Sequence, residues 1–149
     1  MRKAVPLLVS LFFASACASE PHMPQAEVEE PVVTLPAVAG RPGAAYFTIR
    51  TNHAPTRLTG IASPRVGRIE LHETVQQNGV SQMRPVADAA FSPDAPLVFA
   101  PGGRHAMLFD LDPALRAGDR LSLSFSFDGV PAVTVEAEVR GPGQAHRDH

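Results

Sequence analysis

The chain of 149 residues is poor in three residue types: it has one cysteine, one tyrosine and no tryptophan. Since the single cysteine is Cys17, the rest of the chain can form no structural disulfide and can offer no thiolate to a metal. Charged residues make up only 19% of the chain, the formal net charge is −2, and no basic stripe is visible. This charge pattern argues against a nucleic-acid partner.

Long helical patterns and long apolar runs are also missing. No segment shows a convincing helical period, and no stretch beyond the N-terminus approaches the roughly 20 apolar residues that a spanning helix needs. What the chain does have is 15 prolines and 11 glycines, which favour short strands and frequent turns. Its length suits one domain.

The N-terminus has the layout of a secretory signal. Arg2 and Lys3 provide a short positive region, and an almost wholly apolar run follows over residues 4–14. This run is too short for a transmembrane helix, and small residues follow it. We therefore predict a signal peptide over residues 1–16 and a location outside the cytoplasm, in the periplasm.

Cys17 lies where such a signal would be cut, and two interpretations remain open. In the lipoprotein interpretation, cleavage precedes Cys17 and its thiol takes a lipid, which anchors the protein to the membrane. The preceding Ala14-Ser15-Ala16 resembles a lipobox, although an ideal one begins with leucine. In the other interpretation an ordinary peptidase cuts beside Cys17, and the protein is soluble in the periplasm or secreted.

Composition divides the remaining chain into three parts. Residues 17–31, rich in Glu, Pro, Gln and His, predict a tether, because such a segment cannot bury enough apolar surface to fold. Residues 32–140 form the predicted domain. Residues 141–149 predict a disordered tail.

Within the predicted domain, apolar and polar residues alternate as they do in strands. Residues 68–75 and 121–127 alternate most strictly, and Asn78-Gly79 supplies the positive φ angles of a tight hairpin turn. Residues 88–96 read as a loop. We predict an all-β domain of about seven to nine short strands, arranged as a two-sheet sandwich or a small Greek-key barrel.

Four residues on these strands could bind a metal. His105 and Met107 are two positions apart on one strand, so their side chains project from the same face about 7 Å apart. His72 lies on the polar face of the 68–75 strand, and Met83 lies on the return strand of the Asn78-Gly79 hairpin. Glu73 and Asp110 flank these strands and could orient a histidine.

The residue types indicate the metal. A thioether is a soft, uncharged ligand that prefers Cu(I) and has little affinity for zinc, magnesium or calcium, whereas imidazole suits copper in either oxidation state. Two histidines with two methionines therefore suit Cu(I), with Cu(II) as a second, weaker species. A blue-copper electron carrier is excluded, since it needs a cysteine thiolate inside the domain.

The spacing of these residues resembles the metal motif of the periplasmic copper chaperones of the PCuAC type. Ten residues separate His72 from Met83, and twenty-one separate Met83 from His105-Ala106-Met107. The surrounding segments are similar as well, and the resemblance covers about residues 32–140. These segments are 43–49, 68–73, 83–86, 101–108 and 115–119.

The resemblance implies a cupredoxin-like fold with His72, Met83, His105 and Met107 as the four copper ligands. It implies a chaperone that delivers Cu(I) to a copper-accepting protein, either a respiratory oxidase copper centre or one of its assembly factors. We expect a monomer, and we expect no enzyme, because no Ser-His-Asp order or nucleophile elbow is visible. Two alternatives remain: a periplasmic copper buffering or resistance protein, and a metal-free structural β-sandwich. Further potential donors lie outside the motif, and they could add a second copper site. They are His22, Met23, His146 and His149.

Overall fold

The computed structural model describes residues 25–144, and these residues form strands, turns and loops only. The all-β prediction is confirmed. Residues 25–144 contain ten strands, one more than the upper end of the predicted range. They are β1 (Ala26–Thr34), β2 (Gly43–Thr51), β3 (Thr56–Ala62), β4 (Val66–Gln77), β5 (Val80–Pro85), β6 (Ala90–Phe91), β7 (Leu97–Phe99), β8 (Arg104–Leu111), β9 (Arg120–Phe127) and β10 (Val133–Arg140).

Hydrogen bonds join the strands into one path in the order β5-β4-β8-β2-β1-β10-β9-β3-β6, and β7 pairs with β2 beside this path. The β1–β10 pair is parallel, and the other pairs are antiparallel. Strands distant in sequence are therefore neighbours, as in a Greek-key arrangement.

Aromatic rings show how this sheet closes over its core. Phe47 of β2 contacts Phe125 of β9 edge to face, with ring centroids 4.9 Å apart. The two strands are three places apart along the path, which is about 14 Å in a flat sheet. The sheet must therefore fold over itself, with Phe99 stacked on Phe47 at 4.6 Å inside the fold.

Strands β4 and β8 each turn one face towards this core. On β8, Ala106 and Leu108 are fully buried, and they pair with Leu71 and Ile69 of β4. Because side chains alternate along a strand, the residues between them point away from the core. Here the outer face means the side of β5, β4 and β8 that carries these alternate residues.

The β4–β5 hairpin extends beyond the core. Its turn is Asn78-Gly79, with φ angles of 52° and 78°, as the sequence predicted for a tight two-residue turn. Every residue of β5 is exposed, and β5 lies at an edge of the sheet. The hairpin is therefore held by its backbone pairing with β4 more than by apolar burial.

The first strand differs from the sequence interpretation. Residues 17–31 were predicted as a tether and the domain was expected to begin at 32, yet β1 begins at Ala26 and pairs with Thr51 of β2. The strand is broken by a bulge between Glu29 and Val32, where Glu30 has a φ of 48°. This irregularity and the glutamates hide the apolar alternation that a strand search needs.

Two smaller differences concern a loop and the tail. The predicted loop at 88–96 contains the two-residue strand β6, which pairs with β3 and contributes the buried Phe91. In the tail that was predicted as disordered, residues 141–144 form a turn in which Gln144 N–H donates to the Gly141 carbonyl.

The remaining predictions about the chain ends lie outside the described residues. These are the signal over 1–16, the lipid on Cys17, and the accessory donors His22, Met23, His146 and His149. Within 25–144, no helix has the length and apolarity to cross a membrane.

Candidate metal centre

The strand register places all four predicted ligands on the outer face. His72 of β4 lies directly opposite His105 of β8, and Met107 lies opposite Glu70, the next outward position of β4. Met83 of β5 lies opposite Thr74, which shares the face of His72. Three neighbouring strands thus bring two imidazoles and two thioethers to one surface.

His105 and Met83 are in direct contact. The Nε2 atom of His105 is 3.3 Å from the Met83 Sδ atom. Metal–nitrogen and metal–sulfur bonds to a first-row ion such as zinc are about 2.0–2.3 Å, so donors this close can bind one ion together. The contact reaches across one strand, since β4 lies between β5 and β8.

A backbone carbonyl orients the His105 ring. The Nδ1 atom of His105 lies 3.1 Å from the Gly103 carbonyl oxygen, which also accepts the Thr74 N–H at 3.1 Å. Because a carbonyl only accepts, Nδ1 must carry the proton in the neutral ring. Nε2 therefore keeps the lone pair that faces Met83, which is the arrangement a metal-binding histidine needs.

The ring of His72 is more buried than the thioether of Met83. Its side chain is 19% exposed, and its ring centroid is 6.2 Å from that of His105 at an angle of 79°. The Nε2 atom lies 3.2 Å from Glu70 Oε2, whereas Nδ1 is buried with no hydrogen-bond partner among the described residues. A buried polar atom without a partner costs free energy, and a bound ion would satisfy it.

Exposure differs across the four donors. Met83 is 57% exposed, whereas Met107 and both histidines are only partly exposed. The donor set is mixed nitrogen and sulfur, which fits a soft ion. In the described part of the chain, no three His, Cys, Asp or Glu side chains form a group that could hold a metal ion.

The carboxylate that contacts His72 is neither of the two that the sequence suggested, Glu73 and Asp110. Glu73 pairs with Arg84 at 2.8 Å and lies 4.0 Å from Arg104, on the face opposite to His72. The carboxylate that contacts His72 is Glu70. The signal that could have found Glu70 is its spacing, because residues two apart on a strand share a face.

Comparison with known proteins identifies the family. A family model described as "Putative lipoprotein LpqE-like" matches residues 26–139, which is nearly the whole described domain. The chain belongs to the LpqE-like family. The match begins at the first residue of β1, in agreement with the domain start in the structure.

Two curated relatives are similar to part of this chain. "Uncharacterized protein RP573" of Rickettsia prowazekii (strain Madrid E) is 41% identical over 88 residues, which cover 57% of this chain and 48% of that protein. "Putative lipoprotein Lxx21020" of Leifsonia xyli subsp. xyli is 29% identical over 108 residues, covering 71% of this chain and 65% of that protein. The chain thus spans between about half and two thirds of these relatives' lengths.

Solved structures show the same fold. A copper-bound PCuAC domain from PmoF2 is 23% identical with a TM-score of 0.64, and the match covers 78% of this chain and 93% of that domain. The apo form of DR1885 from Deinococcus radiodurans is 22% identical with a TM-score of 0.60, covering 98% and 100%. Its CuI form is 24% identical with a TM-score of 0.58, covering 83% and 80%. The predicted cupredoxin-like fold and the resemblance to PCuAC domains are confirmed.

Proposed function

We propose that this protein is an extracytoplasmic copper chaperone that binds Cu(I) through His72, Met83, His105 and Met107. The observation that carries the proposal is the 3.3 Å contact between His105 Nε2 and Met83 Sδ, because it joins a histidine lone pair and a soft thioether at one point. Copper is the cargo of the protein. The partner is a copper-accepting protein, a respiratory oxidase copper centre or one of its assembly factors.

The different exposures of the four predicted ligands support both binding and release of the copper ion. A carrier has to hold its ion and then exchange ligands with an acceptor. Met83 is the most exposed donor and a weak neutral ligand, so it can leave first while the less exposed histidines still hold the ion. The departure of a thioether requires no proton.

The relatives add support for the metal and the location. One structure with this fold is copper-bound, another is named as a CuI form, and the family description names a lipoprotein. A periplasmic protein anchored through a lipid on Cys17 agrees with both the family description and the predicted signal over 1–16.

The test is an anaerobic Cu(I) titration against a competing chelator. The chain should begin at residue 18, which retains every strand and removes Cys17, whose thiol would itself bind Cu(I). We expect one tight equivalent, and at least a hundredfold weaker binding in the His72→Ala, Met107→Ala double variant. His53→Ala is the matched control, because His53 is an exposed histidine in the turn after β2 and should bind like the parent.

Equal binding by the double variant and the parent would refute this ligand set and leave a structural β-sandwich. Delivery is separated from buffering by mixing the copper-loaded protein with a copper-free oxidase copper domain. A delivering protein should transfer its ion faster than the ion dissociates to a chelator. Transfer no faster than dissociation would favour buffering.

A further inference from the structure

A carboxylate on β4 connects an arginine to one of the predicted copper ligands. Glu70 Oε1 lies 2.6 Å from Arg68 Nη1, and its other oxygen, Oε2, lies 3.2 Å from His72 Nε2. The three residues alternate along β4, so they share the outer face. Both oxygens of a single side chain are thereby engaged.

Arg68 is itself held in place. Its guanidinium lies over the ring of Phe109, 4.2 Å from the centroid, and Phe109 is the residue opposite Arg68 on β8. A guanidinium over an aromatic face is attracted by the ring, in addition to its pairing with the carboxylate. Glu70 therefore has a fixed partner on the side away from His72.

This arrangement determines which nitrogen of His72 carries the proton. A neutral imidazole has one N–H and one lone pair, and an ionised carboxylate can only accept. The Glu70 contact therefore requires the proton on Nε2 and leaves the lone pair on Nδ1. That Nδ1 is the buried atom for which the described residues provide no hydrogen-bond partner.

We propose that Glu70, held by Arg68, is a positioning residue that fixes His72 as the Nε2–H tautomer and leaves Nδ1 as its copper-donor atom. The inference rests on the proposed function and deepens it. His105 shows the opposite assignment, since its Nδ1 is bonded to the Gly103 carbonyl and its Nε2 faces Met83. The two histidines thus offer different ring nitrogens to one ion.

The simpler alternative is that Glu70 merely forms a surface ion pair with Arg68. Such pairs contribute little to stability, and one at this position would leave the tautomer of His72 unchanged. The two interpretations therefore differ in the proton position of His72 before any copper is added.

The first measurement is a long-range proton–nitrogen NMR correlation on the copper-free chain from residue 18. It is made at mildly alkaline pH, because the two tautomers to be compared are those of the neutral ring. We expect His72 as the Nε2–H form and His105 as the Nδ1–H form in the same spectrum. In Glu70→Ala, the pattern of His72 should change to a mixture or to the other form, while that of His105 should stay. An Nδ1–H form of His72 in the parent, or no change in Glu70→Ala, would overturn the proposal.

The second measurement is the Cu(I) affinity of matched variants. Loss of a partner that orients a metal-bound histidine costs about 10–100-fold in metal affinity, so we expect a loss of that size in Glu70→Ala. Glu70→Gln keeps a carbonyl oxygen that accepts the Nε2–H, and should recover most of the affinity. Glu73→Ala is the control, since Glu73 is a carboxylate of the same strand on the opposite face.

The outcomes separate this proposal from the proposed function. If the parent binds Cu(I) tightly and Glu70→Ala binds equally well, the positioning role is refuted and the chaperone function stands. An equal loss in Glu73→Ala would also refute it, because the effect would then be one of charge or folding. If the parent binds no Cu(I), the proposed function fails, and the copper-donor role of Nδ1 fails with it.

Discussion

Different interactions determine the structure of the inner and outer faces of the same sheet. Inside, Phe47, Phe99 and Phe125 pack ring against ring with almost no exposure. On the outer face, the proposed ligands His105 and Met83 contact each other at the surface, and Met83 is more than half exposed. The inside is held by apolar burial, whereas the outside depends on strand register.

Strand β4 belongs to both faces, and this explains how the two are coupled. Its inward residues Ile69 and Leu71 pack against the core, and the outward residues between and beyond them, Glu70 and His72, face the site. A shift of one residue in the pairing would exchange the two sets. The core therefore fixes the position of the donors without touching them.

The largest expected effect is the loss of stability when a core side chain is removed. Phe125→Ala removes a fully buried ring, which should lower the free energy of unfolding by about 3–5 kcal/mol. Urea denaturation measures this loss. Under conditions where the variant is folded, its Cu(I) affinity should stay within a few-fold of the parent's, because Phe125 lies on the inner side.

Val80→Ala is the matched control, since Val80 is 58% exposed on the hairpin and should change stability by less than about 0.5 kcal/mol. If Phe125→Ala were no more destabilising than Val80→Ala, the assignment of stability to the inner face would be wrong.

The second-largest expected effect is local destabilisation of the β4–β5 hairpin, which carries Met83. Gly79 has a φ of 78°, and a Cβ added there would meet no atom within 4 Å, so Gly79→Ala tests backbone strain alone. Alanine in the left-handed region costs about 1–2 kcal/mol. We expect amide hydrogen exchange along β5 to accelerate about tenfold, with little change in β9.

Gly60→Ala provides the comparison, because Gly60 also has open space around an added Cβ but has no positive φ. It should leave exchange along β5 unchanged. Uniform acceleration across all strands in Gly79→Ala would contradict the view that the hairpin is a locally stabilised part of the fold.

The smallest effect is expected at Asp112, away from both regions. The Ala114 backbone N–H and the Arg65 guanidinium donate to its carboxylate, and together they lower the pKa of Asp112 below its ordinary value. A carboxyl whose pKa is lower in the folded state contributes stability above its unfolded pKa of about 3.9 and loses that contribution as pH falls through the folded value.

Asp112→Asn should therefore make stability fall less steeply with acid below about pH 4, which urea denaturation at several pH values measures. Carbon NMR of the Asp112 carboxyl should give a titration midpoint below that of an ordinary aspartate. A midpoint at or above the ordinary value would remove this explanation.

Much of the fold could be predicted from local pattern. The strict alternation of 121–127 predicted that Leu121, Leu123, Phe125 and Phe127 point inward, and all four are buried in β9. The Asn78-Gly79 pair predicted the hairpin, since few other residues tolerate positive φ at both positions. Such features depend on neighbours in sequence, which the sequence displays directly.

Features that depend on distant strands could not be predicted in this way. The pairing of His72 with His105 follows from the β4–β8 register, which local alternation does not specify. The motif suggested that the four donors belong together, but it did not indicate which nitrogen of each ring is free. The spacing of Glu70 and His72 places both on one face of β4, but the contact between the two side chains is visible only in the structure.

Because β1 begins at Ala26, only a short segment of chain separates Cys17 from the folded domain. Nine residue steps separate Cys17 from Ala26, and such a segment can extend to at most about 30 Å. A compact domain of this length is about 35 Å across. If Cys17 carries a lipid, which is one of the two interpretations of the sequence, the domain stays within about one diameter of the membrane, and under the proposed function a copper acceptor would have to be met there.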